Sequence, residues 1–213
     1  MARTHYIAGN WKMNTSRAEA VKLAQDLVAV LKDKKGKYMI GVPFVYLDAV
    51  SQVIKGSNII LGAQDVAATA NGAHTGEVST EMLKDVGVKT VIIGHSERRH
   101  EIGESDELIN KKVRRCLSEG LDVVLCIGEL LADREAGNAE TVCAFQLSAN
   151  LAGVSAEQML MLQSLTNLFG QSEQERLQLL KMQKLSISSA VNILQNFTTR
   201  KLPMRQSSST AVQ

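Results

Sequence analysis

Residues 91–99 read VIIGHSERR. Val91, Ile92 and Ile93 are β-branched, a run that favours extended backbone. The run stops at Gly94, and five polar residues follow at once. A short strand that is apolar on both faces is the mark of a parallel sheet covered on both sides. Its chemistry then belongs at the carboxyl end, where the polar residues begin. The same grammar recurs along residues 1–159. Tyr6–Ala8 leads into Asn10, Tyr38–Val42 ends at Pro43, Ile59–Ala63 runs into Gln64 and Asp65, and Asp122–Ile127 ends at Gly128 and Glu129. With Thr90–Ile93 this predicts five strands.

Helical patterns lie between them. Ser16-Arg-Ala-Glu19 has the form of a capping box. Ala20, Leu23, Leu27, Val30 and Leu31 then recur at helical spacing. Ser105 opens a second such pattern, with Leu108, Ile109, Val113, Cys116 and Leu117 on one face and Gly120 as its stop. Strand, helix, strand at this spacing predicts a right-handed parallel βαβ series. An open doubly wound sheet and a closed barrel share that rhythm, and periodicity leaves both open.

The 213 residues carry a net charge of +2. That balance gives no electrostatic argument for nucleic acid or membrane partners. The start, MARTHYIAGNWK, has no apolar run of signal-peptide length, and no stretch approaches the ~18 apolar residues of a membrane span. Cys116, Cys126 and Cys143 lack metal-ligand spacing. Reduced thiols in a cytoplasmic protein are the expectation. No GxGxxG follows the first strand and no GxxxxGK[ST] occurs, which argues against dinucleotide and P-loop chemistry.

The polar residues at the strand ends are Asn10, Lys12, Gln64, Asp65, His95, Glu97 and Glu129. A fixed Lys12 ammonium there is suited to hold an anion or a developing oxyanion. His95 begins a turn whose backbone N–H groups disfavour a second proton on the imidazole. A neutral imidazole can donate a hydrogen bond to a carbonyl oxygen. Glu97 is placed to anchor Lys12 by a charge-assisted hydrogen bond.

Five motifs occur in order: GNWKMN (9–14), LGAQD (61–65), NGAHTGEVS (71–79), VIIGHSERR (91–99) and CIGE (126–129). Together with LAGVSAEQM (151–159) they resemble the triosephosphate isomerase family over residues 1–159. The resemblance implies an α/β fold of the (β/α)8 barrel family, and interconversion of dihydroxyacetone phosphate and glyceraldehyde 3-phosphate. It implies a substrate-binding pair, Asn10 and Lys12, with Trp11 between them. His95 matches the electrophile, Glu97 its supporting neighbour, and Thr75 the tip of a loop that enters the partner of a homodimer. No metal and no organic cofactor is implied.

The resemblance stops after Met159. The family next requires an AYEPVWAIGTGKT-like motif with its general-base glutamate and lid, and later a phosphate-binding GG pair. Residues 160–213 contain none of these; they are rich in Gln, Ser and Leu, with Gly170 their one glycine. Met159–Asn167 can be coded ATG CTG ATG TTG CAA TCG CTT ACG AAC. One G restored after ATG turns the same letters into MADVAIAYE. Residues 168–184 then regroup to PVWAIGTGKTATPEDAE, and 198–213 to a segment that ends in QYGGS. The expectation is thus about five βα units in residues 1–159, followed by a non-homologous, frameshifted tail in 160–213. That tail offers no evident strand, so the strands near Tyr6 and Asp122 are expected to form open edges, which invite aggregation. A chain so made is expected to be poorly stable and without turnover. A non-catalytic phosphate-binding βα protein is the alternative.

Overall fold

A computed structural model describes residues 6–166, with side chains to residue 163. The elements are β1 (Tyr6–Asn10), α1 (Arg17–Leu31), β2 (Lys37–Val42), α2 (Leu47–Ile54), β3 (Ile59–Ala63) and α3 (Thr80–Asp85). They continue with β4 (Thr90–Ile93), α4 (Asp106–Ser118), β5 (Asp122–Ile127), α5 (Leu131–Glu135), α6 (Ala139–Asn150) and β6 (Leu162–Thr166). The six strands form one parallel sheet in sequential order, β1 to β6.

That order decides between the two architectures. A doubly wound sheet reverses direction at a switch point. Here each strand is laid beside the one before it, and right-handed crossovers that always advance the same way put every helix on one face. The sheet is therefore singly wound and curled, a partial (β/α)8 barrel.

Alternation along each strand sorts the side chains into two clusters. Ile40, Val42, Leu61, Ala63, Val91, Ile93, Val123, Leu125 and Ile127 face the helices and form the larger core with Ala24, Val50, Leu83, Ile109 and Val113. Met39, Ile92, Val124 and Cys126 face the other way, joined by Tyr6, Ala8 and Ile60. Two glycines shape this inner face. A Cβ on Gly62 would lie 2.6 Å from Met39 Sδ, and one on Gly41 would lie 2.6 Å from Ile92 Cδ1. Large side chains of one strand thus fill the space that glycine leaves on its neighbour.

Most local expectations hold. Ser16 accepts from the Glu19 N–H and its own N–H donates to Glu19 Oε2, so the capping box is formed. Ser105 caps α4, and Gly120 follows with φ +77°. The buried stripe of α1 differs from the expected one. Ala20 and Ala24 are buried, Leu27, Val28 and Leu31 pack beside them, and Leu23 and Val30 are exposed. Small residues let α1 sit close to the sheet, and the larger side chains flank the contact. On α4, Leu108 points outward while Lys112 is buried.

The strand expectation needs correction. A sixth strand, Leu162–Thr166, pairs in parallel with Val123–Ile127. The described sheet therefore ends at β6, not at β5. Leu162 to Thr166 contains one β-branched residue and so gave little strand signal. The exposed backbone edge of β5 supplies the hydrogen-bonding template that intrinsic preference does not.

Candidate functional site

The site lies at the carboxyl ends of β1, β2, β3 and β4. Lys12 adopts φ +55°, a left-handed conformation that costs energy in a residue with a side chain. Three neighbours hold it there. Asn10 Oδ1 accepts from the Lys12 N–H at 2.9 Å. Gln64 Nε2 donates to the Lys12 carbonyl at 2.8 Å and to the Gly41 carbonyl at 3.0 Å. The Trp11 N–H donates to the same Gly41 carbonyl at 3.0 Å, while the indole is half-buried against the main core. Gln64 thereby ties together the ends of three strands.

The Lys12 ammonium donates to Glu97 Oε1 at 2.6 Å. The pair is partly exposed, so water screens it and its own contribution to stability is about 1 kcal/mol or less. Its importance is placement, because Glu97 also meets His95. The Glu97 N–H donates to His95 Nδ1 at 3.3 Å, with Glu97 Oε2 3.2 Å from the same nitrogen. The imidazole is buried. Burial holds its pKa below the ordinary 6.5, and the Lys12 charge adds to this; the Glu97 carboxylate opposes it without overcoming it. Because Nδ1 accepts the Glu97 N–H, the ring proton of the neutral form sits on Nε2.

The structure brings Asn10, Trp11, Lys12, His95 and Glu97 together at this end of the sheet. Thr75 stands elsewhere in the local frame, in the exposed 69–77 stretch between β3 and α3. Among the described residues no group of His, Cys, Asp and Glu has the geometry of a metal site. The cysteines are free, and burial pushes the Cys116 and Cys126 thiols up to about 12 and that of Cys143 to about 11.

A buried ionic cluster supports the segment after His95. Lys112 Nζ donates to Asp65 Oδ1 and Oδ2 at 2.7 and 2.9 Å, and to Glu104 Oε1. Arg98 Nη2 contacts Asp65 Oδ2 at 2.9 Å and Glu104 Oε1 at 2.8 Å. Burial raises the Asp65 pKa in spite of Lys112. Burial acts the same way on Glu104, but the hydrogen bonds from Arg98 and Lys112 outweigh it and the net shift is downward. Arg98–Ile102 forms a π-helical turn that ends at Gly103, φ +81°. Sequence reading gave Gln64 and Asp65 no role and missed Lys112 altogether. A signal for Lys112 was present: a lysine inside the apolar arc Ile109–Val113–Cys116 needs a buried carboxylate.

A family model described as triosephosphate isomerase matches residues 5–163. The chain belongs to the triosephosphate isomerase family. It is 61% identical to the triosephosphate isomerase of Treponema denticola over 138 residues, which is 65% of this chain and 55% of that protein. It is 58% identical to that of Treponema pallidum over 135 residues (63% and 54%) and 53% identical to that of Thermoanaerobacter pseudethanolicus over 135 residues (63% and 54%). The chain spans about half the length of the curated relatives it matches. The triosephosphate isomerase match extends four residues past Met159 and ends inside β6. Among the described residues no helix is long and apolar enough to cross a membrane.

Proposed function

We propose that this chain carries the electrophilic half of a triosephosphate isomerase site and lacks the half that removes the substrate proton. The observation that carries the reading is the Lys12–Glu97–His95 arrangement, with His95 buried, its Nδ1 accepting the Glu97 N–H and its pKa held below the ordinary 6.5 by burial. In the interconversion of dihydroxyacetone phosphate and glyceraldehyde 3-phosphate, charge develops on the carbonyl oxygen as a proton leaves the neighbouring carbon. The His95 Nε2–H donates to that oxygen. Triosephosphate isomerase is itself the type case of a neutral histidine in this role. Lys12, fixed by Glu97 and Gln64, offsets charge on the phosphate and on the enediolate. Asn10 and Trp11 shape the binding loop.

On this reading the strand-end and buried carboxylates are engaged elsewhere and do not replace the proton-abstracting one. Glu129 is bound to Arg134, and Glu104 to Arg98 and Lys112. General-base catalysis alone commonly contributes about 10²–10⁴-fold, so turnover is expected to fall by at least that factor. Its organisation is an N-terminal portion of the barrel in 1–159 and a frameshifted segment in 160–213. The supporting observation is the regrouping of that segment into the family's missing motifs. The full-length enzyme would be a cytoplasmic glycolytic and gluconeogenic homodimer without a cofactor. Exposed Met13 (97%), Val45 (79%) and Met82 (54%), with the exposed loop bearing Thr75, are the apolar and loop elements available to a second copy.

Two experiments test this. A coupled assay on the purified 23.2 kDa chain is expected to show no interconversion, and the same assay on a frame-restored chain is expected to show it. Interconversion by the chain as it stands, free of any longer species, overturns the reading. Nucleotide sequence across the Met159 codon tests the frameshift: codons that do not regroup to AYEPVW refute it. Tight binding of 2-phosphoglycolate without turnover in either chain would instead favour a phosphate-binding protein.

A further inference from the structure

Arg99 lies one residue beyond the Glu97–Arg98 pair and faces the opposite way. Its side chain is 7% exposed. The guanidinium donates from Nε to the Gly94 carbonyl at 2.7 Å, and from Nη1 to Asp106 Oδ1 at 2.6 Å. Nη2 donates to the Cys126 carbonyl at 3.1 Å and to Asn150 Oδ1 at 2.6 Å. One side chain therefore joins the carboxyl ends of β4 and β5 to α4 and α6. The backbone of the same residue adds a further link: the Arg99 N–H donates to the His95 carbonyl at 3.0 Å. Space has been made for this. Gly94 has φ +74°, and a Cβ there would lie 2.8 Å from Arg99 Nη2 and 2.9 Å from the Cys126 carbonyl.

We propose that Arg99 is the positioning residue of His95: its guanidinium grips the Gly94 carbonyl, in the peptide unit that leads into the Cα bearing the imidazole, and ties it to β5, α4 and α6. A buried guanidinium with its donors spent on fixed acceptors is a stiff fork. It sets the height and azimuth of the ring relative to Lys12 without touching substrate. The Arg98 N–H also donates to the His95 carbonyl, at 2.9 Å, but its side chain binds Asp65 and Glu104 and leaves the Gly94 carbonyl to Arg99. The proposal rests on the reading of His95 given above, but its test does not require turnover. An inactive chain and an ineffective Arg99 are separate results.

The test is ¹⁵N-histidine NMR of the full 213-residue chain, with the His95 signals assigned by His95→Gln. Arg99→Met, Arg99→Lys and Arg98→Met are compared with the parent. The charged groups facing the ring are Lys12 from the end of β1 and Glu97 and Glu101 from its own segment, and all remain in each variant. In Arg99→Met the His95 titration is expected to move up toward the ordinary 6.5, with loss of a single Nε2–H tautomer, while His74 in the same spectrum stays put. Arg99→Lys, which keeps the charge but not the fork, is expected to fall between. Arg98→Met is expected to leave His95 unchanged. Where Arg99→Met does not fold, Arg99→Lys carries the comparison. His95 titrating as in the parent in the folded Arg99 variants overturns the proposal. So does movement of His95 and His74 together, which is general loosening, and so does an equal shift in Arg98→Met.

Discussion

The middle of the sheet and its flanks are built to different standards. Every residue of β4 is buried, as are five of the six in β5. On β1, Tyr6, Ala8 and Asn10 are half-buried and Ile7 is 57% exposed. Beside it on α1, Val30 is 66% exposed; near the other end of the described sheet, Phe145 and Leu160 are 66% and 85% exposed. The flanks too carry large apolar side chains, Ile7, Val30, Phe145 and Leu160 among them. What differs is the number of neighbours. A strand in a parallel sheet is finished only when a βα unit lies on each side of it. The candidate site follows the same division: His95 and its supports rise from the finished middle, whereas Lys12 hangs from β1 and is fixed by reaching inward to Gln64 and Glu97.

The contrast breaks first in the ionic cluster. Lys112→Met strands Asp65 and Glu104 without their cation, and an unfolding midpoint in urea is expected to fall by the equivalent of about 3–5 kcal/mol. Leu125→Ala, in the fully buried centre, is expected to cost about 2–5 kcal/mol by the same measurement. Ile7→Ala on the flank is expected to stay within about 0.5 kcal/mol. Equal costs at 125 and 7 would erase the distinction between centre and flank. Gly41→Ala drives a methyl into Ile92 and is expected to cost about 1–3 kcal/mol. Ser16→Ala removes the cap of α1 for about 1 kcal/mol. The smallest effect is in pH. His95 has a native pKa below 6.5, so the unfolded chain binds more protons between the two values. Stability is then complete above 6.5 and falls as the pH drops through 6.5 to the lower native value. His95→Gln is expected to flatten that slope in urea midpoints measured from pH 7.5 to 5.

Local rules carried much of the fold. Five of six strands, the caps of α1 and α4 and the stop at Gly120 follow from patterns a few residues long. The failures are cases where a distant partner decides. Leu162–Thr166 is a strand because β5 offers it a ladder. Leu23 and Val30 face outward because Ala20 and Ala24 let the helix approach on a different line. At the site, Lys12, His95 and Glu97 were legible because their chemistry is concentrated in short motifs. Gln64, Lys112 and Arg99 were not, since a glutamine, a lysine and an arginine gain meaning only from carbonyls and carboxylates many residues away.

The sequential order of the strands has a consequence for biosynthesis. Each new strand needs only the one made just before it, so long-range loop closure is never required while the sheet grows. A ribosome emitting such a chain can leave behind a docked β1–β5 platform before later segments exist. That platform is also a hazard, because its growing edge accepts whatever extended peptide comes next. The addition of Leu162–Thr166, a segment with weak strand preference, is what such a permissive edge produces.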